Sequence, residues 1–173
     1  PPLLQAAQRM LAQRPGLKFV LPVVPGLRAL VSQQLQVHAP QLPVSLLDGR
    51  SHEALAACDL TLIASGTATL EAALFKRPMV IAYNMNWLSW QIMRRKQLQP
   101  WVGLPNILSG EFVVPELLQD AATPEALARE TLAWLDAPER CEQLQQRFTD
   151  LHHLLRRDTA QLATDAIEKV LAG

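Results

Sequence analysis

Apolar and polar positions along this chain follow two rhythms. Leu3, Leu4, Ala7, Met10 and Leu11 recur at helical spacing until Arg14-Pro15-Gly16 stops the run. Lys18 to Val24 is then almost wholly apolar and predicts a strand, broken by Pro25-Gly26. Leu27, Val31 and Leu35 predict a second helix, and Val44 to Leu47 a second strand turned by Asp48-Gly49. A short helix over His52 to Cys58 leads to a third strand, Asp59 to Ala64. After the tight turn Ser65-Gly66-Thr67, Ala68 to Phe75 predicts a helix. Lys76-Arg77-Pro78 ends it, and Met79 to Tyr83 forms a fourth strand. Short apolar strands alternating with helices indicate βαβ units around a parallel sheet covered on both faces.

The rhythm changes beyond Tyr83. Asn86 to Leu98 carries its apolar residues all round a helical wheel, and Trp101 to Asn106 is expected to be extended or a loop. Thr123-Pro124-Glu125 predicts a helix start, with Thr as N-cap, Pro at the first position and an acid in the first turn. Asp136-Ala137-Pro138-Glu139 is expected to start another in the same manner. Cys141, Leu144, Phe148, Leu151 and Leu155 continue that helix, and Leu162, Ala166 and Val170 mark a last one. The expected fold class is α/β, a Rossmann-like parallel sheet with a helical C-terminal extension, undivided from 1 to 173.

Composition narrows the function classes. The 173 residues are 49% hydrophobic and 18% charged, which describes a folded domain. A formal net charge of +0 gives no overall field to hold nucleic acid. No apolar run approaches the roughly 20 residues of a membrane span. Cys58 and Cys141 have no zinc spacing and are expected to be reduced thiols in a cytosolic protein. The chain opens on Pro1-Pro2 directly into a helix pattern, which suggests a piece of a longer polypeptide.

The chemistry concentrates in Ser65-Gly66-Thr67-Ala68-Thr69-Leu70-Glu71, at the carboxyl end of a strand and the start of a helix. Ligands of open parallel sheets bind at that edge. Backbone N–H groups of the turn, at the positive helix end, suit a diphosphate. Gly66 allows close backbone approach. Glu71, one helical turn further, suits the cis-diol of a ribose. There is no Walker lysine and no G-x-G-x-x-G after any strand. A tight turn with a solvent-facing Glu71 would account for the same residues without a ligand.

Other candidates read more plainly. His38 and His52 are isolated and expected to be structural or superficial. His152 and His153 are adjacent on a helix and point about 100° apart, unsuited to one metal. Asp48 reads first as a turn residue. Trp87 and Trp90 beside Arg94, Arg95 and Lys96 suit either a membrane surface or an interface between domains or protomers.

The run from Ser65 through Tyr83 resembles the donor-site signature of the lipid-A-disaccharide synthase family. Gly103-Leu104-Pro105-Asn106-Ile107-Leu108 resembles its second signature and Val114 to Gln119 its third, with Leu46-Leu47-Asp48-Gly49 upstream. The S-G-T-x-x-x-E element alone is shared by many glycosyltransferases of the two-Rossmann (GT-B) fold, but the ordered set is more specific.

The resemblance implies a donor-binding domain for UDP-2,3-diacylglucosamine. The sugar would pass with inversion to 2,3-diacylglucosamine 1-phosphate, giving a β-1,6 disaccharide and UDP without metal or cofactor. Ser65, Gly66 and Thr67 would hold the diphosphate, Glu71 the ribose, and Asn106 would lie at the donor pocket. The acceptor domain with its catalytic base, and a Gly-Ser-Arg phosphate turn, are expected before Pro1, so no catalytic residue is assigned within this chain. Asn84 stands where the family often has Arg or Lys.

The resemblance also implies peripheral contact with the cytoplasmic face of the inner membrane. Exchange of C-terminal helices in a homodimer, or their packing on the acceptor half, is left open. The alternatives are another UDP-sugar enzyme of this fold, such as a 2-epimerase or a lipid II-type transferase, and a non-catalytic α/β binding module.

Overall fold

The computed structural model describes residues 2–64, 66–96 and 98–171. Ser65 of the expected diphosphate turn lies outside the described residues. The chain runs α1 (Pro2–Gln13), β1 (Phe19–Val23), α2 (Arg28–His38), β2 (Val44–Asp48), α3 (Ser51–Ala57), β3 (Thr61–Ala64), α4 (Thr67–Leu74) and β4 (Met79–Tyr83). It continues through α5 (Trp87–Lys96), α6 (Leu104–Ser109), β5 (Glu116–Leu118), a 3₁₀ turn (Gln119–Ala121), α7 (Pro124–Leu135), α8 (Pro138–Leu155) and α9 (Thr159–Leu171). The α/β alternation expected from the apolar rhythm is present, and every strand pairing is parallel, as in a Rossmann-like domain.

The strands form two ladders rather than one continuous sheet: β1 with β2, and β3-β4-β5. Proline offers a physical reason. Phe19 N–H donates to Pro43 O and Val23 O accepts from Gly49 N–H, so these residues bond toward β2. Alternation then turns Val20 and Pro22 to the opposite edge, and Pro22 has no N–H to offer a further strand.

The main core is built on β4, whose Met79, Val80 and Ile81 are fully buried, as a central parallel strand requires. Leu127, Ala128, Leu132 and Trp134 of α7 and Leu144, Phe148 and Leu151 of α8 close over it. The α8 residues fall on one stripe at three- and four-residue steps. α1 packs on α7 through Ala6 and Met10. A satellite core of Ala7, Ala39 and Leu42 underlies the first ladder. α2 and α9 bury no residue.

Two local expectations are corrected. Trp101 to Asn106 is not extended throughout: Gly103 is an N-cap, Pro105 sits in the first turn, and α6 begins at Leu104. Thr123 caps α7 as expected, its hydroxyl accepting from Ala126 N–H at 3.1 Å, but Asp136 does not cap α8. Ala137 is the N-cap there, and the Asp136 carboxylate is taken by Arg14 instead. Beyond the sequence reading, Glu116–Leu118 forms a strand, too short to show a periodic pattern.

Candidate functional site

The candidate site forms at the carboxyl edge of the second ladder, where β3 passes into α4. Gly66 is the N-cap of α4 with φ 122° and ψ −166°, a conformation open in practice to glycine alone. A Cβ built there would meet nothing within 4 Å, so the backbone lies open to an approaching group. Among the described residues no side chain caps α4, and its first turn holds no acid. The turn is braced from below, where buried Thr69 returns its hydroxyl to Gly66 O at 2.7 Å. Thr67, the first residue of α4, is exposed. An uncapped helix start with an accessible glycine backbone has the polarity and shape for an anion.

Glu71 follows on α4, partly exposed. His52 of α3 stands beside it, Nε2 lying 3.8 Å from Glu71 Oε2. The imidazole also leans on Phe75, the C-cap of α4, ring centroids 5.5 Å apart. Nothing in the residue pattern announced this meeting of His52 with Glu71.

At the end of β2 Asp48 accepts from Arg28 at 2.6 Å, and at the start of α3 Arg50 grips Glu53 through both its Nε and an amino group. The Arg50 hydrogen bonds hold the Glu53 carboxyl below its ordinary range. Shallow surface hollows at Asp136 to Gln143 and between α1 and α7 lie away from this edge.

Asn106 is placed differently from the other candidates. It is fully buried, and its amide is consumed within the protein. Its Nδ2 donates to Val114 O at 2.9 Å and to Glu116 Oε1 at 2.8 Å, while Oδ1 accepts from Val113 N–H and Val114 N–H. Glu116 in turn accepts from Val102 N–H and Gly103 N–H, supplying the carboxylate that the start of α6 lacks. α6 packs against α4, so this cluster backs the helix that carries Glu71. Glu116 belongs to the third signature, but no role for it was read there.

The family signature residues around the helix ends are also structural. Arg77 donates to Leu55 O and Ala56 O and closes the end of α3. Lys76, at φ 59°, donates to Leu74 O at 2.7 Å and meets His152 Nδ1 at 2.6 Å. Gln119, at φ 51°, reaches Asn84 Oδ1 at 2.5 Å and Met85 O at 3.2 Å once its amide is oriented to suit its neighbours, tying the ends of β4 and β5.

Both cysteines are free, and burial pushes both thiols above their usual range, so neither is primed as a nucleophile. Among the described residues, no group of three or more His, Cys, Asp or Glu is placed to hold a metal ion, and no helix is long and apolar enough to cross a membrane. His152 and His153 lie with ring centroids 6.1 Å apart.

Comparison with known proteins supplies a family. The family model described as lipid-A-disaccharide synthetase matches residues 1–170. A lipid-A-disaccharide synthase of Albidiferax ferrireducens is 60% identical over 98% of this chain and 44% of its own length. Its counterpart in Verminephrobacter eiseniae is 59% identical over 99% and 45%, and that of Pseudomonas syringae pv. tomato 53% over 96% and 43%. The chain thus spans less than half the length of these curated relatives. With a family model covering nearly every residue and relatives this similar along the whole chain, the protein belongs to the lipid-A-disaccharide synthetase family.

Proposed function

We propose that residues 1–173 form the nucleotide-sugar binding domain of a glycosyltransferase of lipid A biosynthesis. The donor is UDP-2,3-diacylglucosamine, and the sugar passes with inversion to the 6-hydroxyl of 2,3-diacylglucosamine 1-phosphate. The acceptor domain and catalytic base belong to the part of the relatives that this chain does not span. The observation that carries this reading is the open, uncapped start of α4 at Gly66, with Glu71 one turn beyond it, in a chain of this family.

In this reading the N–H groups of the turn, including those of Ser65, Gly66 and Thr67, receive the diphosphate. They stabilise the charge that grows on it as the glycosidic bond breaks. Glu71 accepts both ribose hydroxyls. Asn106 acts at one remove, through α6, since its own amide is fully engaged.

Calorimetric titration with UDP, with ADP as control, tests the reading. Glu71→Ala is expected to weaken UDP binding by about ten- to a hundredfold, the worth of hydrogen bonds to a charged acceptor. Equal binding of UDP by Glu71→Ala and the unaltered chain would sink the assignment of Glu71. Failure of UDP to bind at millimolar concentration would sink the donor-domain reading.

Peripheral membrane contact through α5 belongs to the same proposal. Trp87, Leu88 and Ile92 are 72%, 59% and 52% exposed, with Arg94 and Arg95 exposed beside them and no acidic residue from Asn84 to Ser109. That combination suits an anionic lipid surface carrying acylated substrates. Sedimentation with anionic vesicles that is unchanged in Trp87→Ser/Arg95→Ser would overturn it.

A further inference from the structure

We infer that His52 is a positioning residue for Glu71 in nucleotide binding, holding the carboxylate in the orientation that receives a ribose. The inference rests on the donor-domain reading above and adds a second residue, from a different element, to the site.

Two contacts place the imidazole. Its ring rests against Phe75, the C-cap of α4 one turn beyond Glu71, at 5.5 Å between centroids and 41° between planes. Its Nε2 faces Glu71 Oε2 at 3.8 Å. Arg50 and Glu53 pair within the start of α3 itself, and Arg77, beyond the end of α4, donates to Leu55 O and Ala56 O in the last turn of α3. Arg77 thus ties the last turn of α3 to the segment that follows α4, and the His52 side chain meets Glu71 from the α3 side.

A carboxylate has about four lone-pair directions on two oxygens. A donor on the flank of Oε2 still leaves one lone pair on each oxygen for a cis-diol. What such a donor contributes is orientation, since an unsupported Glu must lose side-chain freedom when a ligand binds. At 3.8 Å the unliganded pair is beyond hydrogen-bond reach, and both side chains are largely exposed at 72% and 45%. By itself the pair therefore adds little to stability. A ribose laid against Glu71 removes water from the pair, and a small rotation of the carboxylate closes the gap. The effect belongs to the complex and depends on the ribose hydroxyls, which separates it from an ordinary packing contact.

The test is calorimetry of the unaltered chain, His52→Ala, His52→Gln and Glu71→Ala with UDP and with 2′,3′-dideoxy-UDP, beside thermal melts of each. Expected are a two- to fivefold weaker UDP affinity for His52→Ala, recovery in His52→Gln, whose amide reaches the same place, and unchanged melting. With the dideoxy ligand, the difference between the unaltered chain and His52→Ala should vanish.

Equal UDP affinity in His52→Ala while Glu71→Ala loses binding overturns the inference and leaves the donor reading standing. A loss in His52→Ala that persists with the dideoxy ligand, or that comes with a lowered melting point, overturns it in favour of a packing role. If UDP does not bind the unaltered chain, the donor reading fails and the inference falls with it.

Discussion

Asn106 Nδ2 and Glu116 Oε1 meet at 2.8 Å beneath the start of α6, joining two signature segments ten residues apart into one buried knot. The amide makes four hydrogen bonds, and the carboxylate takes two further backbone N–H groups. Asn106→Ala would leave Val114 N–H without its partner in a buried place, Val113 N–H with only its bond to Glu111 O, and Val114 O without the Asn106 donor. A loss of about 2–4 kcal/mol is expected, read from urea midpoints, since buried unsatisfied groups cost more than made bonds return. Unchanged stability with weakened UDP binding would instead show a direct ligand contact for Asn106.

Gly66 has no such partners, and its importance is conformational. At φ 122° and ψ −166°, a side chain strains the backbone whatever space surrounds it. Gly66→Ala is expected to cost about 1–3 kcal/mol and to weaken UDP binding together with stability, because relief of the strain would turn the N–H groups of α4 away. Midpoints and titrations on the same samples check this. An Ala variant as stable as the parent would mean that the turn is not held as described.

His152 predicts a pH dependence. The ammonium of Lys76 first, then burial and the neighbouring charges of His153 and Arg156, hold its pKa below the ordinary 6.5. The folded chain therefore binds this proton less readily than the unfolded chain. Stability from this group is complete above about pH 6.5 and falls as the pH drops through that value toward the lower folded pKa. Denaturation midpoints at pH 7.5 and 5.5 should differ by less in Lys76→Met than in the parent. An unchanged difference would refute the role of Lys76.

Much of this was legible in the sequence where the determinants are local. The α4 turn is set by Gly66 and the residues beside it, and Thr123 announces the start of α7 within a single turn. Elements that depend on distant partners were not legible. Asn106 sits in a Leu-Pro-Asn run that gives no sign of burial, because its four partners come from later residues. Asp136 looks like a cap, yet Arg14, at the other end of the chain, claims its carboxylate. His52 seemed isolated because nineteen positions separate it from Glu71, and only the folded placement of α3 beside α4 brings the two side chains together. The break between β1 and β3 had a single cue, Pro22, whose meaning depends on which edge of the strand it faces.

That break divides the molecule's resistance to local opening. Amide protons of Val80 and Ile81, bonded within a ladder buried on both faces, should exchange with solvent only when most of the domain opens. Those of Leu21 and Leu46 belong to a ladder over a core of only Ala7, Ala39 and Leu42 and should exchange sooner. His52 follows directly from the ladder that opens more readily, and Glu71 from the one that does not. A nucleotide held by both would slow exchange in β1 and β2 as well as in β4, since either opening releases it, so that occupancy could be followed from amides that never touch the ligand.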